Sequence, residues 1–112
     1  MQISVRFFRA DGLYRGFSVS GHDAVPDSAE YSVLCAAVSS AVQLTCNTLT
    51  EIFGAPADAV QVRPAKHEQN EIALRLPEPD SVQSEILRGL HLHLQLLSEE
   101  YAGRLHISVR EQ

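Results

Sequence analysis

Between Tyr31 and Phe53 the chain is apolar almost all the way round a helix, and no other segment constrains the fold as much. Ser39/Ser40, Gln43, Asn47 and Thr50/Glu51 recur at three-to-four spacing as one narrow polar stripe, and nearly every other position is apolar. A helix lying on the surface of a globular domain needs an apolar stripe only about 100° wide. A helix of this kind is therefore covered on most of its circumference. In a chain of 112 residues with 45% apolar content, that cover comes from one core, because the length suffices for one domain and not for two. The expectation is a single domain over residues 1–112. The surplus apolar surface of this helix predicts a homodimer.

Around the helix the periodicity changes to two. Ile3, Val5 and Phe7 alternate with Ser4, Arg6 and Phe8 in a strand with one buried face. Ala10-Asp11-Gly12-Leu13 supplies a hairpin turn, and a second strand, Tyr14 to Ser20, carries Tyr14, Phe17 and Val19 up to Gly21-His22. Asp23 to Glu30 has no period and reads as a long loop, a kind of connection that tends to be functional. After Gly54-Ala55-Pro56 come two strands, Val60-Gln61-Val62 and Glu71 to Leu76, joined around Lys66 to Asn70. Asp80 or Ser81 caps a helix from Val82 to about Tyr101, with Asp80 and Gln83 at capping-box spacing. Leu105, Ile107 and Val109 alternate in a last strand. The order β-β-α-β-β-α-β predicts an α+β domain: a mainly antiparallel sheet of five strands with both helices packed on it.

Charge narrows the partners. Nine Lys+Arg against fourteen Asp+Glu give a formal charge of −5, which argues against a phosphate backbone as the main partner and for a basic protein or peptide. No apolar run is read as long enough to span a membrane, and the N-terminus alternates where a signal peptide would be unbroken. A cytoplasmic protein is expected. Cys35 and Cys46, eleven positions apart on one helix, lie roughly 16 Å apart along its axis, beyond disulfide reach, so both are expected to be thiols.

Cys35 is the one residue whose position suggests chemistry. At the start of a helix, backbone N–H groups and the dipole favour a thiolate. The degree depends on the cap: Ser32 as N-cap puts Cys35 in the first turn, and Asp27, with Glu30 as its box partner, puts it a turn or more deeper. His22, exposed at a strand-to-loop end, supplies a base if the loop folds back. The competing reading makes Cys35 one more small core residue in the run Val33 to Val38 and His22 a solvated loop residue. Cys46 falls on the apolar flank with Val42, Leu49 and Phe53 and reads as core. His91 and His93 diverge by about 160° on their helix, lack the i, i+4 spacing of a metal pair and read as structural. His67 and His106 stand alone, and Ser39 and Ser40 have no base at helical spacing and belong to the polar stripe. No metal and no cofactor are expected.

Taken in order, Gly12-Leu13-Tyr14-Arg15-Gly16-Phe17-Ser18-Val19-Ser20-Gly21-His22 and Val33-Leu34-Cys35-Ala36-Ala37-Val38-Ser39 resemble the bacterial ribosomal-processing cysteine protease family, Prp. That family has Gly-His-Ala after its second strand and Cys-Ala-Ala-Val-Ser opening its first helix, and Leu97-Ser98-Glu99-Glu100-Tyr101 is similar to its closing segment. The resemblance implies a dimeric endopeptidase that removes a short N-terminal extension from large-subunit ribosomal protein twenty-seven, cutting after a pair of phenylalanines. It implies His22 and Cys35 as catalytic residues, with Gly21, Asp23, Glu30, Ser32, Ala36 and Ser39 around the substrate. The chain departs from the family pattern at Asp23, where the family has alanine, and at Glu30-Tyr31-Ser32, where it has Gly-x-Asp. Ser32 thus removes an acid three residues before the nucleophile. A second reading keeps the fold without turnover, as a dimeric module that binds a peptide or ribosomal protein. The third is a dimeric domain with no groove function.

Overall fold

The structure, a computed structural model, describes residues 2–21, 33–63 and 71–112. Five strands, β1 (Ile3–Ala10), β2 (Leu13–Ser20), β3 (Val60–Arg63), β4 (Glu71–Arg75) and β5 (Leu105–Glu111), form one sheet in the order β3-β4-β2-β1-β5. Helices α1 (Val33–Glu51) and α2 (Ser81–Glu100) pack together, and a single 3-10 turn at Ala57–Ala59 leads into β3. The expected α+β order is observed, and three of the four strand pairings are antiparallel, with β1 and β5 parallel. The link expected around Lys66 to Asn70 lies outside the described residues.

Two of the sequence signals operate as local chemistry dictates. Asp11 and Gly12 have φ of 55° and 79° between the paired Ala10 and Leu13, a two-residue turn whose twist matches that of the strands it joins. At the start of α2 the Asp80 side chain accepts from Gln83 N at 2.8 Å, while Gln83 Oε1 accepts from Asp80 N at 3.0 Å. Gln83 Nε2 also donates to the Phe53 carbonyl at 2.9 Å, tying this cap to the segment that follows α1.

One core fills the space between the sheet and the helices. Val5, Phe7 and Phe17 from the hairpin, Leu74 from β4, Leu34, Val42 and Leu49 from α1, and Leu87 and Leu94 from α2 are all fully buried in it. Side chains of this kind each stabilise the fold by about 1.5–3 kcal/mol when fully buried. The pairing of β1 with β2 shifts register between Phe8 and Arg9, so Phe8 pairs with Gly16, Arg9 pairs with Tyr14, and Arg15 is the extra residue. This bulge explains how Tyr14 and Phe17, an odd number apart, both reach the helix-facing side.

Two expectations are corrected. Strand β1 does not have a single buried face: Phe8, on the side away from the helices, is buried too, with the Arg75 guanidinium 4.1 Å from its ring centroid. And the chain does contain a segment long and apolar enough to cross a membrane, since α1 meets that criterion over its 19 residues. Its polar stripe carries a single charge, at Glu51. In the fold its Leu34, Cys35, Val38, Val42, Thr45, Cys46 and Leu49 are buried.

Candidate functional site

Cys35 is the third described residue of α1. In the first turn of a helix the N–H groups have no intrahelical acceptor and the dipole favours negative charge. Val33 and Ala36 are exposed at this end, whereas Leu34 and Cys35 turn inward. Cys35 is 6% exposed and belongs to the core cluster. Ser39 follows one turn later, half-buried, at the spacing that puts two side chains on one helix face.

The other side of the site begins at Gly21, where the chain leaves β2. Gly21 has φ of +81°, and a Cβ on it would stand 2.5 Å from the carbonyl oxygen of Gln2, at the start of the neighbouring strand. Both the backbone conformation and the close approach require glycine. The Gly half of the Gly-His pair is therefore an architectural requirement, and it sets the point from which the next residue departs. His22, Asp23, Glu30 and Ser32 lie outside the described residues, as does the choice of Ser32 or Asp27 as cap.

The remaining candidates resolve as structure. Cys46 is buried, and burial pushes its thiol pKa up, away from reactivity. Neither cysteine is in a disulfide. Among the described residues no group of three or more His, Cys, Asp or Glu side chains could hold a metal ion. His93 and His106 are exposed. His91 sits 4.7 Å, centroid to centroid, from the Phe7 ring, and its Nδ1 lies 2.7 Å from the Tyr14 hydroxyl. Burial, and secondarily the positive charge of Arg9, holds its pKa below the usual histidine value. The neutral imidazole is thereby favoured, and it shares one hydrogen bond with the Tyr14 hydroxyl through Nδ1. Tyr14 N in turn donates to Ser84 Oγ at 2.9 Å. Periodicity placed His91 on α2 but could not show this pairing, because Tyr14 is 77 residues away.

The family described as cysteine protease Prp matches residues 2–106, a span that includes Gly21-His22 and Cys35. Two solved structures of a ribosomal processing protease Prp from Staphylococcus aureus superpose well. The one with a covalently linked product peptide has a TM-score of 0.78 and 15% identity, covering 97% of this chain and 100% of that one. The one with a substrate peptide has a TM-score of 0.72 and 18% identity, with the same coverage. A Streptococcus mutans protein superposes with a TM-score of 0.77 at 21% identity, over 99% of this chain and 96% of its own. At these identities the superpositions speak to the fold. No curated protein matches the chain.

Proposed function

This chain belongs to the cysteine protease Prp family, and from that premise we propose that it is a cysteine endopeptidase that trims a short N-terminal extension from large-subunit ribosomal protein twenty-seven. Cys35 is the nucleophile and His22 the base. His22 takes the Cys35 proton, and the thiolate adds to the scissile carbonyl. The tetrahedral oxyanion is held by backbone N–H groups near Cys35. As it collapses, the C–N bond breaks and the imidazolium protonates the departing amine. Water, deprotonated by His22, then hydrolyses the thioester, and the thiol is restored with its proton. Gly21, Asp23, Glu30, Ser32, Ala36 and Ser39 line the peptide's path.

The observation that carries this reading is the place of Cys35 in the first described turn of α1, within a family match that spans the Gly-His pair. The peptide complexes of the Staphylococcus aureus neighbours support a peptide as ligand on this fold. Two observations favour a second reading, in which a homologue binds the peptide without turnover: Cys35 is only 6% exposed, and Ser32 stands where the family has an acid. The protein acts in a reducing, cytoplasmic compartment.

It acts as a homodimer. In support, α1 leaves Val33 and Leu44 exposed at 73% and 69%, and Ile52 just past its end at 71%. A groove of about 560 Å³ also runs between the helices, lined by Ala37, Ala41, Leu44, Thr48, Ile86 and Leu90 among others.

A peptide spanning the ribosomal extension, incubated with wild type, Cys35→Ala and His22→Ala, tests the mechanism. Cleavage by wild type alone is expected. Cleavage that survives Cys35→Ala overturns the mechanism, and binding without cleavage by wild type favours the binding module.

A further inference from the structure

On the sheet face away from the helices, residues remote in sequence meet in two rows. The first runs Arg75–Gly16–Phe8–Arg110 across β4, β2, β1 and β5. The second runs Gln61–Ala73–Ser18–Arg6–Ser108 across all five strands. Gly16, Ser18 and Ala73 leave a low floor, over which Arg6, Arg75 and Arg110 rise exposed. The result is a trough of about 570 Å³. Arg15 flanks it, lining an adjoining hollow of about 300 Å³ together with Phe8 and Arg75. Glu71 and Asp58 are the acids among the lining residues, and no described carboxylate forms an ion pair with Arg6, Arg75 or Arg110.

We propose that this trough binds single-stranded RNA. Three guanidinium groups with no carboxylate partner among the described residues, in a chain of net charge −5, are a local segregation of charge that complements a polyanion. Their spacing suits a strand of nucleotides: Arg75 and Arg110 are three strand steps apart, about 14 Å, and Arg6 is about 7 Å along β1 from the Phe8 row. The Arg75 guanidinium already lies over the Phe8 ring, 4.1 Å from its centroid, so its outer face is a held, planar surface on which a base stacks. Ser18 and Gln61 put a hydroxyl and an amide within the same trough, where they meet base edges or a 2′-hydroxyl. RNA carries a ring at every charged unit for the stacked guanidinium, and a peptide of acidic residues alone has the charge without the ring. The trough also crosses the strands on the sheet face, where the backbone hydrogen bonds of an added strand are not available. Cys35 and the helices occupy the other face, so RNA binding does not depend on the peptidase chemistry.

Fluorescence anisotropy of a labelled single-stranded RNA of about eight nucleotides, titrated with the full chain at several salt concentrations, tests this. Binding is expected with a log–log salt slope of about −2, three phosphate contacts at about −0.7 each. Arg6→Ala and Arg110→Ala are expected to weaken it roughly fivefold each and to flatten the slope by about 0.7. Arg75→Lys, which keeps the charge and loses the stacking plane, is expected to lower affinity while the slope holds. All three arginines are exposed, and melting temperature checks that the variants stay folded. Three results overturn the proposal: RNA affinity unchanged in the triple Arg→Ala variant, a glutamate-rich peptide of matched charge competing as well as RNA, or adenosine monophosphate doing so, which leaves only a small-anion site.

Discussion

Single residues in this protein are decided by what lies opposite them. His91 illustrates this, since its neutral state is favoured by burial against Phe7 and by the charge of Arg9, with the Tyr14 hydroxyl 2.7 Å from Nδ1. Its folded pKa lies below the unfolded value of about 6.5, so the unfolded chain takes up the proton first as pH falls. His91 therefore contributes stability that is complete above pH 6.5, is lost as pH drops from there toward the folded pKa, and then levels off. Urea unfolding between pH 7.5 and 5 is expected to show a shallower loss in His91→Gln than in wild type; equal pH dependence in the two counts against this account. At the candidate site, Gly21 is needed for its φ of +81° and for the approach of Gln2. The motif's glycine thus has its role in the path of the chain, apart from the chemistry proposed for His22.

Among the elements, α2 has the cap its sequence specifies, and the structure adds a tether to it. Asp80 makes the N-cap bond, while Gln83 closes the box and also reaches the Phe53 carbonyl. Asp80→Ala is expected to cost about 1 kcal/mol. Gln83→Ala should cost more, about 2 kcal/mol, because it also leaves a part-buried carbonyl without its donor. Chemical denaturation of the two variants checks the order, and an Asp80→Ala cost equal to or above that of Gln83→Ala contradicts it. In β2, by contrast, the odd spacing of Tyr14 and Phe17 makes no sense as simple alternation. It becomes regular once Arg15 is the bulged residue.

For the whole molecule, one helical layer on one sheet face leaves two surfaces to explain: the outer side of the helices and the bare sheet. The first is apolar, with Leu44 and Ile52 exposed, and is the surface that the proposed dimer covers. Multi-angle light scattering at micromolar concentration is expected to give a dimer that Leu44→Glu converts to monomer without loss of helical circular dichroism; a wild-type monomer removes the dimer. The second surface carries the arginine trough. A formal charge of −5 argues against a nucleic-acid partner only if charge is spread evenly, and here it is not.

What could be read along the chain was whatever depends on near neighbours in sequence. The element order, the Asp11-Gly12 turn and the Asp80–Gln83 box all rest on periodicity, capping and backbone conformation, which act over a few residues. The Gly-His and Cys-Ala-Ala-Val-Ser segments marked the family for the same reason. Tertiary structure alone decided which strands pair and in what register. It set β5 parallel to β1, shifted β2 by one residue at Arg15, buried Phe8 beneath Arg75 and gathered Arg6, Arg75 and Arg110 on one face. Those contacts join strands far apart in the chain, and their energies come from packing and charge between residues that no local pattern brings together. Cys35 belongs to both accounts: its helical position is written in the sequence, whereas its burial follows from the core built around it.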